Sequence, residues 1–389
     1  MNVPKLRFKE FTDEWKQTPL KNIIYSNIIE APKPTTDYIR LGIRSHCKGT
    51  FHELVKIENI LSADKMYIVP KNNLILNITF AWEQAIAITD DNDEGKYISN
   101  RFPTFAFKDN QLPTFYKYII PQKRLKYDLN VASPGGAGRN RVLNKKLFLS
   151  IPVNIPLLKE QEKIAKFLTT VDKKITNLEN TITSLENQKE GLLQQIFSQK
   201  LRFNDKNGNN YPNWEKKKLE DISNITMGQS PDSDFVNTEK IGTPFLQGNA
   251  EFTNKYPIEK YWCTKPQKIA NPTDILLSVR APVGAINIAN KKFCIGRGLS
   301  AISFNCNKLF GKYNLEFNLF QLIKKSQGST FSSINKKDIS EVILFIPCLE
   351  EQTKIADFLS AFDRKLENQK AQLEHWKQIK KGLLQQMFV

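Results

Sequence analysis

The sequence predicts an α+β protein with two tandem mixed α/β domains and a pair of long antiparallel coiled-coil helices, related by a pseudo-twofold axis. Three observations predict this class. A ten-residue phrase occurs twice, and each copy opens a long heptad pattern. Short β-rich runs, separated by Pro, Gly, Asn and Asp clusters, fill the stretches between.

The repeat extends along the whole chain of 389 residues. The phrase "KEQEKIAKFL" at Lys159 returns as "EEQTKIADFL" at Glu350, and "GLLQQ" follows in the same register at Gly191 and Gly382. "KLRF" stands near the start of each half, followed by a tryptophan and a Leu-x-x-Ile step. Repeats this long exceed the roughly 20–50 residues of solenoid units, so they indicate a duplicated domain.

Apolar residues in each copy alternate in steps of four and three, which is typical of a coiled-coil seam. The seam residues are Ile164, Leu168, Val171, Ile175, Leu178, Ile182, Leu185, Leu192 and Ile196 in the first copy, and Ile355, Leu359, Phe362, Leu366, Leu373, Trp376, Leu383 and Met387 in the second. Gln369 breaks the second seam, and Lys189 and Lys380 interrupt the two seams at equivalent positions. The matched interruptions favour pairing of the two helices with each other, because a polar seam residue can fix register. Two independent helices, each packed on its own domain, are the alternative.

Prolines set the predicted helix starts and hence the domain boundaries. Pro156 and Pro347 place the starts near residues 160 and 351, where Glu160 and Glu351 suit the helix dipole. Each helix should run for about 35 residues, or roughly 50–55 Å. The predicted organisation is an N-terminal domain at 1–154, a first helix at 155–199, a C-terminal domain at 200–345 and a second helix at 346–389.

Composition favours an acidic partner. The formal net charge is +17, which points to nucleic acid first and a membrane surface second, with a merely soluble basic protein as the alternative. No apolar run is long enough for a membrane span, and the N-terminus has charges where a signal peptide needs apolar residues. We therefore expect a cytoplasmic protein, with five scattered cysteines that are reduced thiols.

The sequence lacks the usual catalytic motifs. It has no phosphate-binding loop, no dinucleotide-binding turn, no adenine methyltransferase tetrad of the Asn-Pro-Pro-Tyr kind and only three histidines. "DDNDEGK" contains Asp90, Glu94 and Lys96 at a cramped spacing that faintly suggests a metal-dependent nuclease. Solvated turns commonly have such charge runs, so a self-contained nuclease or methyltransferase is only the alternative function.

Loops rich in Gly, Gln, Asn, Ser and Arg are the candidate DNA contacts. Gln and Asn can read adenine, Arg can read guanine, and Ser or Thr can hold phosphates, although the same residues also form ordinary turns. The candidates are Arg44, Arg101, Arg139, Asn140 and Arg141 in the first half, and Gln229, Ser230, Gln247, Asn249, Arg280, Arg297, Ser329 and Thr330 in the second.

These motifs together resemble the specificity subunit of type I restriction–modification systems. The resemblance rests on the "KLRF…W…L" openings, "RAPVG…CIGRGLSAI" from Arg280, "QGSTFSSINKKDI", the two "P-x-L-x-E-Q-x-K-I-A-x-F-L" helix starts and the "GLLQQ" ends. It covers nearly the whole chain. The first half departs from it in the middle, where "ITFAWEQAI" and "YISNRFPTF" are the candidates for the places of "RAPVG" and "IGRGL".

The resemblance implies a non-catalytic DNA-binding subunit. Each domain would be a target recognition domain that reads one half of a bipartite double-stranded target, and the helices would set the spacer. Two modification subunits would methylate adenine N6 with S-adenosylmethionine, and restriction subunits would use ATP and Mg²⁺, so this chain itself would bind no cofactor or metal and no membrane. Residues expected at the helix pair and the partner interface are Ile164, Leu168, Lys189, Gly191, Leu192, Ile355, Leu359, Lys380, Gly382 and Leu383. The two glycines either admit a partner backbone or let the helices cross tightly.

Overall fold

The computed structural model describes residues 3–59, 65–135, 141–253, 255–327 and 333–388. The chain forms two compact units, the first made of residues 1–178 and 372–389 and the second of residues 179–371. Each long helix therefore contributes one part to each unit. The two parts of each unit come from both halves of the sequence, as expected when helices of the two repeats pair.

The first unit contains eleven described strands in three sheets, with short helices. Its strands are β1 (Lys16–Pro19), β2 (Ile24–Ser26), β3 (Ile29–Ala31), β4 (Tyr38–Ile43), β5 (Thr50–Val55), β6 (Met66–Ile68), β7 (Leu74–Leu76), β8 (Ile86–Ile88), β9 (Tyr97–Ile98), β10 (Thr104–Phe107) and β11 (Pro152–Ile155). Its helices are α1 (Pro113–Ile119), α2 (Lys123–Val131), α3 (Lys145–Ser150) and the first part of α4 (Leu158–Phe197).

The sheets of the first unit have the orders β1-β11, β2-β10-β7-β8 and β3-β6-β9-β4-β5. All pairs are antiparallel except β4 with β9. The inner strand β7 is apolar and buried at all three positions, as expected for a strand covered on both faces. The main core joins the four-stranded sheet to the helices through Trp15, Phe105, Phe115, Leu168 and Met387.

The second unit also contains eleven described strands. They are β12 (Glu215–Lys218), β13 (Ser223–Met227), β14 (Val236–Asn237), β15 (Thr243–Leu246), β16 (Tyr261–Cys263), β17 (Ile269–Ala270), β18 (Ile275–Ser278), β19 (Ile286–Ile288), β20 (Phe293–Ile295), β21 (Leu299–Phe304) and β22 (Ile343–Ile346). The helices are α5 (Leu219–Ile222), α6 (Lys308–Gln327), α7 (Lys336–Ser340) and α8 (Leu349–Gln386), of which α8 ends in the first unit.

The sheets of the second unit repeat those of the first. Their orders are β12-β22, β13-β21-β18-β19 and β14-β16-β15-β20-β17, and β15 with β20 is the one parallel pair among the described strands of this unit. The four-stranded sheets correspond strand for strand. In the five-stranded sheets, β6-β9-β4-β5 corresponds to β17-β20-β15-β16, while the remaining edge strand lies at opposite ends. The structure thus confirms two tandem mixed α/β domains.

The repeated Asn-Lys-Lys has a local structural reason. Asn144 caps α3 by accepting from the backbone N–H of Lys146 and Leu147. Asn335 caps α7 by accepting from the N–H of Asp338, whose side chain in turn accepts from the N–H of Asn335. Asparagine is repeated because both short helices need an N-cap acceptor at this point.

The long helices begin two residues before the predicted starts and run slightly longer than predicted, with 40 residues in α4 and 38 in α8. The first two positions of each seam are buried, with Ile164, Leu168, Ile355 and Leu359 each at most 2% exposed. Four later positions of the second seam are half-buried, namely Phe362, Leu373, Trp376 and Leu383. In the second unit, Lys189 of α4 pairs with Asp363 of α8, and Glu186 of α4 pairs with Lys370 of α8. Residue numbers therefore decrease along α4 as they increase along α8. The helix segments of this unit are therefore antiparallel.

The same direction holds in the first unit. Lys380 pairs with Asp172, while Leu383 and Met387 join the core that contains Ile164 and Leu168. The predicted pairing of the two repeats is confirmed, and the alternative of two independent helices is wrong.

Among the described residues, no helix combines the length and the apolarity that crossing a membrane requires. The five cysteines are free thiols, two of them buried. Burial raises the pKa of the Cys47 thiol to about 12, so this thiol is protonated at neutral pH.

Candidate nucleic-acid interface

Four loops of the second unit lie together, and one of them is the turn between β20 and β21. The backbone N–H of Gln229 donates to the carbonyl oxygen of Ile295 at 2.9 Å, and that of Gly296 donates to Leu246 O at 2.8 Å. The N–H of Arg297 donates to Ser230 Oγ at 3.3 Å. Three separate stretches that the sequence predicted as candidate DNA contacts therefore lie side by side.

Glycines make this convergence possible. A Cβ at Gly228 would stand 2.1 Å from the carbonyl oxygen of Gly296, and one at Gly298 would stand 2.7 Å from Gln247 O. Both distances are too short for a Cβ and a backbone oxygen, so only glycine fits at these positions without a shift of the backbone. The glycines in "MGQS" and "IGRGL" are therefore explained by close backbone packing, which brings the neighbouring polar residues together.

The fourth loop follows β18. The backbone N–H of Val279 donates to Gly298 O at 2.9 Å. The backbone of Arg280 pairs with that of Ser333 in an antiparallel β-bridge outside the named strands. The side chains of Gln229, Gln247, Arg280 and Arg297 are exposed, and those of Ser230 and Asn249 are half-buried. Ser329 and Thr330 lie outside the described residues.

The first unit has an equivalent backbone arrangement with different side chains. Ile78 donates its N–H to Arg101 O at 3.0 Å and accepts from Leu143 N, as Val279 does with Gly298 and Ile334. The segment "ITFAWEQAI" thus occupies the place of "SVRAPVGAI", and "YISNRFPTF" that of "CIGRGLSAI". Arg101 is exposed at this point.

The remaining nominated residues of the first unit differ in their surroundings. Arg44 is exposed, donates to Thr50 O at 2.6 Å and lies over the ring of Phe51 at 5.0 Å. Arg141 donates to the carbonyl oxygens of Ser133 and Asn130, and its guanidinium lies over Trp82 at 5.1 Å. Arg141 is thus bound to the C-terminal end of α2 and to the residues that follow it. Arg139 and Asn140 lie outside the described residues.

The acidic run at residues 90–96 forms a turn. Asp93 is buried, and its carboxylate accepts from the N–H of Asp90 and lies 2.9 Å from His52 Nε2, while Lys71 pairs with Asp91 and Glu94. Within the described parts of the chain, no three His, Cys, Asp or Glu side chains are grouped so as to hold a metal ion. The carboxylates of this turn are used to fix its shape, which gives the nuclease alternative no support.

Two lysines in the helix seams have acidic partners. Lys189 Nζ lies 2.6 Å from Asp363 Oδ1, and Lys380 Nζ lies 2.7 Å from Asp172 Oδ1. Burial acts to raise the pKa of Asp363, but hydrogen bonds from Lys189 and Tyr313 outweigh it and lower the pKa below its ordinary value. The Asp363 carboxyl is therefore ionised at neutral pH.

The glycines of "GLLQQ" lie in open space. A Cβ at Gly191 or Gly382 would meet no described atom of this chain within 4 Å. The alternative that these glycines let the two helices cross tightly is therefore wrong, while Leu192 and Leu383 beside them are half-buried.

Sequence reasoning missed a buried ion pair at the start of each long helix. Arg7 binds Glu160 with two nitrogens, and Arg202 binds Glu351 in the same way. The indole N–H of a tryptophan donates to each of these carboxylates, from Trp15 to Glu160 at 3.2 Å and from Trp214 to Glu351 at 3.0 Å. The repeated "KLRF", Trp and "EQ" were the sequence signal that could have revealed the pairs.

Comparison with known proteins places this architecture among related chains. The family model described as "Type I restriction modification DNA specificity domain" matches residues 17–187 and 211–375. The type I restriction enzyme MjaX specificity subunit of Methanocaldococcus jannaschii is 37% identical over 98% of this chain and 95% of its own length. The MjaVIII specificity subunit of the same organism is 23% identical over 91% of this chain and 84% of its own.

Two solved structures are similar. A chain from a structure describing complex assembly and conformational transition of the type I R-M system has a TM-score of 0.59 and 25% identity, covering 95% of this chain and 96% of its own. The S subunit of a type I restriction–modification system from M. genitalium has a TM-score of 0.63 and 14% identity, covering 100% of this chain and 99% of its own. The second likeness concerns the fold alone.

Proposed function

Because the chain belongs to the family of type I restriction–modification DNA specificity subunits, we propose that its two mixed α/β domains each read one half of a bipartite double-stranded DNA target. The functional division follows the repeats, with recognition domains at 1–154 and 200–345 and spacer helices at 155–199 and 346–389. The domains carry different side chains on equivalent loops, so the two half-sites differ in sequence.

One observation supports this function most directly. In the second unit, the exposed side chains of Gln229, Gln247, Arg280 and Arg297 project from loops that glycines hold together. Gln offers a donor and an acceptor to adenine, and Arg offers two donors to guanine, which suits the edges of bases in the major groove. The net charge of +17 supplies the sequence-independent attraction to phosphate.

The paired helices set the number of unread base pairs between the half-sites. Half-sites one DNA turn apart are about 34–36 Å from each other and face the same side of the duplex. A helix of 40 residues has a contour length of about 60 Å, which is sufficient to separate two recognition surfaces by such a distance. Insertion of about four residues between the seam and a recognition domain should therefore change the spacer that is accepted.

The chemistry belongs to partner subunits. Two modification subunits dock on the exposed helix faces, where the open positions at Gly191 and Gly382 admit a partner backbone, and they methylate adenine N6 with S-adenosylmethionine. Restriction subunits use ATP and Mg²⁺ for cleavage. This chain works in the cytoplasm, binds neither a cofactor nor a metal and catalyses no step.

Methylation mapping tests the proposal. Cells that carry this chain with its modification subunits should methylate adenines in a two-part motif with a fixed gap. Replacing residues 20–150 by those of a relative should alter one half of the motif and leave the other half unchanged. The purified chain alone, incubated with DNA, Mg²⁺ and methyl donor, should neither cleave nor methylate. A continuous motif, or changes in both halves after the swap, would contradict the bipartite function.

A further inference from the structure

Each unit contains a tyrosine that connects its mixed α/β domain to both long helices. Tyr313 on α6 donates its hydroxyl hydrogen to Asp363 Oδ2 on α8 at 2.6 Å, and Lys189 on α4 lies 2.6 Å from the other oxygen of that carboxylate. Lys189 also lies over the ring of Tyr313, 5.3 Å from its centroid. These three residues, the C-terminal triad, connect three different helices.

The first unit repeats the arrangement with the helices exchanged. Tyr118 on α1 donates to Asp172 Oδ2 on α4 at 2.9 Å, and Lys380 on α8 lies 2.7 Å from Asp172 Oδ1. Thr169 Oγ1 is also within hydrogen-bond distance of the Tyr118 hydroxyl, at 3.2 Å. Tyr118, Asp172 and Lys380 are the N-terminal triad. Both tyrosines are at most 3% exposed.

We propose that the two triads are positioning devices that fix the orientation of each recognition domain on the helix pair and thereby restrict the spacer length that the protein accepts. The inference rests on the bipartite function proposed above. It assigns to Tyr118 and Tyr313 a role in target selection without contact to DNA.

The triads can fix an orientation because hydrogen bonds depend on direction and apolar contacts do not. Apolar packing holds two surfaces together but resists rotation and sliding only weakly, whereas a hydrogen bond weakens steeply away from its preferred angle. A phenol hydroxyl bound to a carboxylate that is itself held by an ammonium group fixes three helices relative to one another. A single polar group in a coiled-coil seam is known to fix register in the same way.

A cleft beside the C-terminal triad shows that packing alone does not fill this junction. The cleft has a volume of about 860 Å³ and is lined by Lys189, Tyr313 and Asp363 together with residues of the sheet domain such as Tyr256 and Ile288. The cleft leaves space on this side of the junction, so the domain can shift against the helices there if the triad is broken. Lys255 and Glu367, 3.2 Å apart, form a second but exposed connection across the same side.

The test uses the complete complex with its modification subunits. Its substrates are duplexes with both half-sites unchanged and a spacer of native length, one base pair shorter or one base pair longer. The measured quantity is the initial rate of methylation on the native spacer divided by the rate on each altered spacer. Tyr313→Phe removes one oxygen, so this ratio should fall by about fivefold, which is the value of one net hydrogen bond.

Two further variants make the test specific. Asp363→Asn should lower the ratio to a similar extent, and the double variant should be no worse than either single one, because the triad acts as a unit. Lys370→Met is the matched control, since it removes the 2.6 Å pair with Glu186 between the same two helices but touches neither Tyr313 nor Asp363. This control should leave the spacer ratio unchanged.

The outcomes are separable. If Tyr313→Phe folds and keeps the native spacer ratio, the triad contributes only stability and the inference is overturned. If the unaltered complex shows no preferred spacer at all, the bipartite function itself fails, and the inference fails with it. Tyr118→Phe provides the same test in the first unit, with the half-site sequences expected to remain unchanged in every variant.

Discussion

Arg202 holds Glu351 through two nitrogens, with Nε 2.7 Å from Oε1 and Nη2 2.9 Å from Oε2, while the carboxylate side chain is fully buried. The partner residues are far apart in sequence, so the pair joins the start of the second repeat to the start of α8. A bidentate pair of this kind combines charge with fixed geometry. Glu351 also lies in the first turn of α8, where the sequence indicated that its negative charge suits the helix dipole.

Arg202→Met should therefore strongly destabilise the second unit. Removing one partner leaves an uncompensated buried charge at Glu351, which costs about 3–5 kcal/mol. Urea denaturation followed by circular dichroism measures the loss. Lys217→Met is the control, because its pair with Glu215 is exposed and should matter little. Equal midpoints for the two variants would contradict the importance of the buried pair.

The pH dependence of stability should reveal Asp363. Its pKa is lowered in the folded state, so its contribution is fully present above the unfolded value of about 3.9 and is lost as pH falls through the lower folded value. The Tm difference between the unaltered chain and Asp363→Asn should be constant from neutral pH to about pH 5 and shrink below about pH 4. Differential scanning calorimetry across this range is the measurement, and a difference that grows on acidification would refute the assignment.

The close packing at Gly228 predicts a large cost for a single methyl group. In Gly228→Ala, the new Cβ would stand 2.1 Å from Gly296 O, so the loops must separate, at about 1–3 kcal/mol. Gly248→Ala is a matched control in a neighbouring loop, where a Cβ meets no described atom within 4 Å. Thermal denaturation of both variants distinguishes them, and similar Tm values would show that the loops can adjust freely.

The sequence predicted the parts of the fold that arise from local periodicity. The heptad seams around Leu168 and Leu359 predicted the two helices and their pairing, because helix contacts recur every three to four positions. Pro156 and Pro347 predicted the helix starts to within two residues. The sheets were recognised only as β-rich runs. Strands such as β9 with two residues pair over long sequence distances, so no short window contains the information for their order.

The residue types of the candidate site could be predicted from the sequence, but the way in which the loops come together could be predicted only in part. Gln229, Gln247 and Arg297 were nominated from composition, and their convergence depends on backbone contacts between glycines distant in sequence. The triads were missed because Tyr118 and Tyr313 lie in domains of divergent sequence. The repeated Phe-x-Lys-Tyr, "FYKY" and "FGKY", was the signal that could have revealed them.

Arg297 provides a test of base reading. If it contacts guanine, Arg297→Ala in the full complex should weaken binding by about 1–3 kcal/mol and relax specificity at one position of the C-terminal half-site. Lys292→Ala, at the other end of β20, is the control and should retain specificity at every position. Fluorescence anisotropy with duplexes substituted one base pair at a time measures both effects. Uniform weakening across all duplexes would instead indicate a phosphate contact.

The glycines of the long helices should separate folding from assembly. Because a Cβ at Gly191 meets open space, Gly191→Ala should stabilise the isolated chain by about 0.5–1 kcal/mol through its higher helix propensity. Gly191→Trp should fold equally but block a partner backbone that approaches this point, so the modification subunits should bind at least about tenfold more weakly. Gln188→Trp, on an exposed position three residues earlier, is the matched control. Analytical ultracentrifugation with modification subunits gives the affinities, and unchanged assembly with Gly191→Trp would remove this position from the docking surface.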